Sequence, residues 1–174
     1  MNSLLPVFGI VGYKNSGKTT LTVRLVQELT RRGLRVATVK HAHHSFQIDD
    51  AETDSARHRR AGAAQVAIVS SRRWAIVTEL RDTPEPTLSQ TLSALARHDP
   101  PHDLVLVEGY KDEPIPKLEC RRRDSKSERT LADADPDILA IASDHELSGA
   151  HVPVFPLDDA PRISDFILTT LKLG

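Results

Sequence analysis

Two apolar spacings alternate along this chain. Val7-Phe8-Gly9-Ile10-Val11 is a short β-branched run that ends in a glycine turn and reads as a strand. From Thr19 to Arg32, Leu21, Leu25, Val26 and Leu29 recur at helical spacing, and Gly33 stands where a C′ residue ends a helix. Leu34 to Lys40 then resumes as a strand, so the first 40 residues predict a βαβ unit. After a polar stretch, His41 to Asp54, the pattern predicts a short helix over Ser55 to Ala61. Two strands follow, Gln65 to Val69 and Trp74 to Leu80, joined by a tight turn. Thr87 caps a helix reaching Arg97, and Asp103 to Val107 is the next strand. Strands near Lys117 to Arg121, Ile138 to Ala142 and Val152 to Phe155, and a helix from Asp159 to Leu171, complete the chain. The alternation argues for an α/β fold, a three-layer α/β/α sandwich with a mainly parallel sheet, whose ligands sit at the carboxyl ends of the strands.

Composition narrows the class. A length of 174 residues suits one domain spanning 1–174, and 39% hydrophobic with 27% charged residues excludes disorder. With 23 Lys+Arg against 24 Asp+Glu, the net charge of -1 gives no general attraction to nucleic acid or anionic lipid. The apolar runs Ile138 to Ala142 and Val66 to Val69 fall far short of the roughly 20 residues that cross a bilayer. Cys120 is the only cysteine, and the start of the chain lacks the features of a signal peptide, so a cytoplasmic protein is expected.

The chemistry begins at Gly12-Tyr13-Lys14-Asn15-Ser16-Gly17-Lys18-Thr19, which fits G-x-x-x-x-G-K-[ST] between a strand and a helix, as a P-loop requires. Gly12 lets the backbone leave the strand and Gly17 lets it approach a phosphate. The successive N–H groups and the helix N-terminus make an anion nest. Lys18 would reach the β- and γ-phosphates, Thr19 would bind Mg²⁺ through its hydroxyl, and Thr20 would donate to the α-phosphate; Asn15 and Ser16 serve mainly as backbone donors. A second strand ends in Glu108 and Gly109, where a carboxylate would hold Mg²⁺ through water near the γ-phosphate; an ordinary exposed Glu-Gly turn is the other reading.

Three further features admit more than one role. Asp144 follows a strand, where its carboxylate could accept from N1–H and the exocyclic amine of guanine, or it could cap the His145-Glu146-Leu147 turn. His41, His43 and His44 could bind a transition metal, although an extended segment faces His44 away from the other two. The competing reading puts Lys40 and His41 near the γ-phosphate or a partner's substrate. The clusters Arg57-His58-Arg59-Arg60 and Arg121-Arg122-Arg123 could meet phosphates or an acidic partner, or be charged faces balanced by nearby acids. Trp74 and Ile76 belong to the core or to a dimer interface.

In order along the chain, Gly12 to Thr20, Val39-Lys40-His41-Ala42-His43-His44, Asp54-Ser55, Ala61-Gly62-Ala63, Val107-Glu108-Gly109-Tyr110-Lys111 and Ala142-Ser143-Asp144 resemble the molybdopterin-guanine dinucleotide biosynthesis protein B family. The resemblance covers positions 6 to 170. It implies a P-loop protein that binds GTP with Mg²⁺ and hydrolyses it weakly. It also implies a homodimer assisting the guanylyltransferase that joins GMP to molybdopterin. Asp54 matches the family's aspartate and would join the water shell of Mg²⁺. A small-molecule kinase built on the same loop is the alternative, with its acceptor between Lys40 and Asp54 and at Arg57 to Arg60.

Overall fold

The computed structural model describes residues 5–42, 53–124 and 130–173. In chain order the elements are β1 (Val7–Val11), α1 (Lys18–Arg31), β2 (Val36–Lys40), α2 (Asp54–Arg60), β3 (Gln65–Val69), β4 (Trp74–Thr78), α3 (Leu88–Leu95), β5 (Leu104–Glu108), β6 (Lys117–Arg121), β7 (Ile138–Ser143), β8 (Val154–Pro156) and α4 (Ala160–Leu171). Every expected element forms, with its ends displaced by no more than two residues. The elements fall into two compact units, Met1–His41 with Leu88–Gly174, and Ala42–Thr87.

The first unit is built on a six-stranded parallel sheet in the order β2-β5-β1-β6-β7-β8. Every residue of β5 is buried, which explains its unbroken apolar sequence, because helices and loops cover both faces of a parallel sheet. Side chains alternate across each strand. Phe8 and Ile10 therefore join Leu106, Leu118 and Cys120 on the face covered by Leu21, Leu25 and Leu29 of α1 and by Ile163 and Ile167 of α4. Each fully buried aliphatic side chain of this kind contributes about 1.5–3 kcal/mol. On the opposite face Leu88, Leu92 and Leu95 of α3 cover Ala37, Val39, Val105 and Val107, while Leu131 and Ala132 cover Val11, Ile138 and Ile141.

Polar contacts fix the same layers. Arg32, which caps α1, donates to Glu28 of its own helix at 2.7 Å and to Asp165 and the Pro161 carbonyl of α4. Asp159 caps α4 by accepting from Arg162 N–H at 3.2 Å, with a proline in the first turn where no N–H is needed. On β6 the face opposite Leu118 and Cys120 carries Lys117, Glu119 and Arg121, all buried. Each has partners: Lys117 donates to the carbonyls of Lys111 and Glu113 and pairs with Asp135 at 2.6 Å. Glu119 accepts from the N–H groups of Leu131 and Ala132 and pairs with Arg121 at 3.3 Å. Burial of such charges is tolerable only with this degree of satisfaction.

The second unit pairs a short helix with a hairpin. Thr53 caps α2 by accepting from Ala56 N–H at 3.3 Å, and at the other end Arg81 donates to the carbonyl of Arg59 in the last turn and to those of Gly62 and Ala63 just beyond it. β3 and β4 run antiparallel with Val66 opposite Val77 and Val69 opposite Trp74. Val66, Val77 and Ala56 are buried, whereas Val69, Trp74 and Ile76 are 75%, 64% and 53% exposed. Of the two roles expected for Trp74 and Ile76, core or dimer interface, this exposure removes the core. The two-residue period of the strand turns them to the face opposite Val66 and Val77. In this unit Arg59 and Arg57 lie beside Glu79 and Asp54, at 3.3 and 3.6 Å.

Candidate functional site

The loop between β1 and α1 owes its shape to three positive-φ residues, Gly12 (143°), Asn15 (65°) and Gly17 (95°). A side chain on Gly12 would lie 2.5 Å from the Cys120 carbonyl, so only glycine lets the loop pass β6 so closely. Gly17 is the N-cap of α1 and supplies no side-chain cap, and the first turn contains no acid. The open N–H groups and the positive end of the helix dipole are left for an anion from outside the loop.

Four side chains, Lys18, Thr19, Lys40 and Glu108, meet at this end of the helix. Lys18 Nζ donates to the carbonyls of Gly12 at 2.8 Å and Tyr13 at 2.6 Å. Burial depresses its pKa below the ordinary lysine value, with Lys40 acting in the same direction and Cys120 and Glu108 opposing. The Thr19 hydroxyl donates to Glu108 Oε1 at 2.6 Å, and Lys40 Nζ lies 3.3 Å from the same oxygen and 3.4 Å from Thr19 Oγ1. Lys40 reaches this position because β2 pairs with β5 in the register Lys40↔Glu108. A hydroxyl and a carboxylate held together at the end of a phosphate loop are hard oxygen donors of the kind Mg²⁺ takes alongside phosphate and water.

The neighbouring expected residues are placed as follows. Thr20 is exposed on the first turn of α1. Ser16 N–H donates to the Tyr13 carbonyl at 3.2 Å, and its hydroxyl is buried with no partner among the described residues. Gly109 has a φ of 94° and its N–H donates to the Ile10 carbonyl at 3.1 Å. His41 donates its N–H to the Glu108 carbonyl at 3.0 Å and stacks on Tyr110, with ring centroids 4.6 Å apart. Asp54 belongs to the second unit, at the start of α2. His43 and His44, like Asp49, Asp50 and Glu52, lie outside the described residues. Among the described residues no group of three His, Cys, Asp or Glu could hold a metal, and no helix is long and apolar enough to cross a membrane.

Asp144 lies just beyond β7. Its Oδ1 accepts from the Arg123 N–H and lies beside His145 Nδ1, both at 2.9 Å. The hydrogen bond with His145 is the main cause holding its carboxyl below the ordinary value. The Arg121-Arg122-Arg123 cluster divides in three. Arg121 is the buried partner of Glu119, Arg123 binds Asp144 through its backbone, and Arg122 stands over the phosphate loop. A side chain on Gly17 would lie 3.1 Å from Arg122 Nε. Sequence reasoning allowed this cluster phosphates, an acidic partner or a balanced charged face without separating its three members; the strand end at Arg121 is what sets Arg122 alone over the loop.

The family model described as molybdopterin guanine dinucleotide synthesis protein B matches residues 7–144. The chain is 41% identical over 169 residues to the molybdopterin-guanine dinucleotide biosynthesis adapter protein of Haemophilus influenzae, covering 96% of this chain and 90% of that one. It is 33% identical to the Escherichia coli adapter protein of the same name, covering 98% and 95%. Among solved structures it resembles the MobB homolog of Bacillus stearothermophilus, with a TM-score of 0.72 and 30% identity over 98% of this chain and all of that one. The parallel sheet, the loop after its β1 strand and these likenesses agree: the chain belongs to the molybdopterin guanine dinucleotide synthesis protein B family.

Proposed function

We propose that this chain is a nucleotide-binding adapter of molybdopterin-guanine dinucleotide biosynthesis that holds Mg²⁺ and GTP in the loop Gly12 to Thr20. The convergence of Lys18, Thr19, Lys40 and Glu108 on the open N-terminus of α1 is the observation that carries this reading. Lys18 leaves its loop carbonyls for the β- and γ-phosphates, and the first-turn N–H groups hold phosphate oxygens. Thr19 and Glu108 are the residues that would hold Mg²⁺, which offsets negative charge on the phosphates when bound. Hydrolysis of GTP is slow, and the chain acts mainly by presenting the nucleotide to a guanylyltransferase that joins GMP to molybdopterin. Lys40 and His41, at the adjacent strand end, face that partner or its pterin substrate. The protein works in the cytoplasm.

The working unit is a homodimer. A two-stranded hairpin is marginal alone, and β3 with β4 exposes Val69, Trp74 and Ile76 together on one face. A second copy of the same apolar face would bury it by two-fold symmetry.

Reconstituting guanine dinucleotide formation from molybdopterin, GTP and the partner enzyme tests the adapter role. Adding this chain is expected to raise the yield, and His41→Asn is expected to reduce that gain while Mg-GTP binding persists. A yield indifferent to the chain would contradict it.

A further inference from the structure

Lys40 brings to the phosphate loop a charge that the loop motif does not account for. Its Nζ lies 3.3 Å from Glu108 Oε1 and 3.4 Å from Thr19 Oγ1, while the threonine hydroxyl donates to the same carboxylate oxygen at 2.6 Å. One oxygen thus answers both an ammonium and a hydroxyl. The backbone that carries Lys40 is held from two sides. His41 N–H donates to the Glu108 carbonyl at 3.0 Å and Gly109 N–H to the Ile10 carbonyl at 3.1 Å, which ties the carboxyl ends of β2, β5 and β1 together. Glycine at 109 leaves room for His41, whose Cβ would lie 3.1 Å from a side chain there, and the His41 ring stacks on Tyr110. The Lys40 side chain is held far less firmly. It is 60% exposed against 11% for Glu108, and an ion pair with so exposed a lysine contributes little.

We propose that Lys40 is the specificity residue for the terminal phosphate of a nucleoside triphosphate, leaving Glu108 for that phosphate when the loop is filled. The inference rests on the phosphate-loop reading above. Thr19 stands in the first turn of α1, whose N–H groups are open to phosphate. An ammonium 3.4 Å from its hydroxyl needs only rotation of its own side chain to reach oxygens held there. Lys18 reaches the same end of the helix from the loop, where it donates to the carbonyls of Gly12 and Tyr13. Lys40 is close enough to depress the Lys18 pKa by repulsion, which a polyanion beside both relieves. A diphosphate suffices for Lys18, and the third phosphate adds the charge that offsets Lys40 as well. Glu108 cannot serve two cations equally. With its carboxylate given to Mg²⁺, Lys40 loses its counter-charge and gains more from a phosphate oxygen. Because Lys40 directly precedes His41, the strand end that meets the terminal phosphate is also the one that the adapter reading turns toward the partner.

Calorimetric titration of the full chain in Mg²⁺ with GTP, GDP, tripolyphosphate and pyrophosphate tests this assignment. The wild type is expected to prefer GTP over GDP and tripolyphosphate over pyrophosphate. Lys40→Met keeps the aliphatic stem and removes the charge. It should cut both preferences about tenfold or more, the worth of one hydrogen bond to a charged group, with GDP and pyrophosphate affinities little changed. A wild type indifferent to the third phosphate, a Lys40→Met protein with wild-type preferences, or one that loses GTP and GDP affinity equally would overturn the proposal. Lys18→Ala distinguishes its failure from that of the phosphate loop. If Lys18→Ala weakens all four ligands while Lys40→Met keeps the preference for a third phosphate, only the role of Lys40 is wrong. If Lys18→Ala weakens none of them, the phosphate-loop reading fails, and this proposal with it.

Discussion

Thr19 and Glu108 are 89 residues apart in sequence, yet the threonine hydroxyl donates to Glu108 Oε1 at 2.6 Å. The parallel pairing of β5 with β1 brings them together, because it aligns the carboxyl end of one strand with the loop that leaves the other. Lys40 Nζ lies 3.3 Å from the same carboxylate oxygen. Removing charge from Glu108 therefore loosens the site for a divalent cation without opening the core. Glu108→Gln is expected to retain the fold and bind GTP in EDTA like the wild type, while losing most of the gain in affinity that Mg²⁺ confers, about tenfold. Paired titrations with Mg²⁺ and with EDTA check this.

Glu28 links α1 to Arg31 and Arg32, and Arg32 continues to Asp165 on α4. Its hydrogen bonds to Arg31 and Arg32 hold the carboxyl at about 2, below the ordinary 4.5. A carboxylate depressed on folding stabilises the folded state above its unfolded pKa, and that contribution disappears as pH falls through the folded value. The wild type should therefore exceed Glu28→Gln in melting temperature at pH 6, and the gap should narrow between about pH 4.5 and pH 2. Thermal melts of the two proteins across that window measure it.

The exposed hairpin face predicts an assembly effect separable from stability of the sheet. Trp74→Ser with Ile76→Ser removes apolar surface from the face opposite Val66 and Val77. Analytical ultracentrifugation is expected to give a dimer for the wild type and a monomer for the double variant, with the far-ultraviolet circular dichroism unchanged. A monomeric wild type would remove the dimer from the account.

Local pattern sufficed for much of this molecule. Val7 to Lys40 carried strand, phosphate loop, helix and strand in spacings of two and three to four residues, and Leu104 to Glu108 declared itself by its continuous apolar run. What local pattern could not carry was the order of the strands. That β5 enters between β1 and β2 is what sets Lys40 against Glu108, and that β6 lies next to β1 is what brings Arg122 over Gly17. The buried Lys117 and Glu119 were hidden for a related reason. Their partners, Asp135 and the N–H groups of Leu131 and Ala132, belong to a later loop that the sequence does not visibly join to β6. The exposure of Trp74 depended on how little of the hairpin α2 covers, which alternation alone does not determine.

Calorimetric titration of GTP in Mg²⁺ against the wild type and Lys18→Ala tests the central claim most directly. Lys18 holds only loop carbonyls, so its removal should leave the fold intact while withdrawing the cation meant for the phosphates. The account predicts one GTP per chain for the wild type and a loss of about two orders of magnitude in affinity for the variant, the cost of removing a buried charged partner. Equal GTP affinity in the two proteins, with native circular dichroism in both, would contradict it.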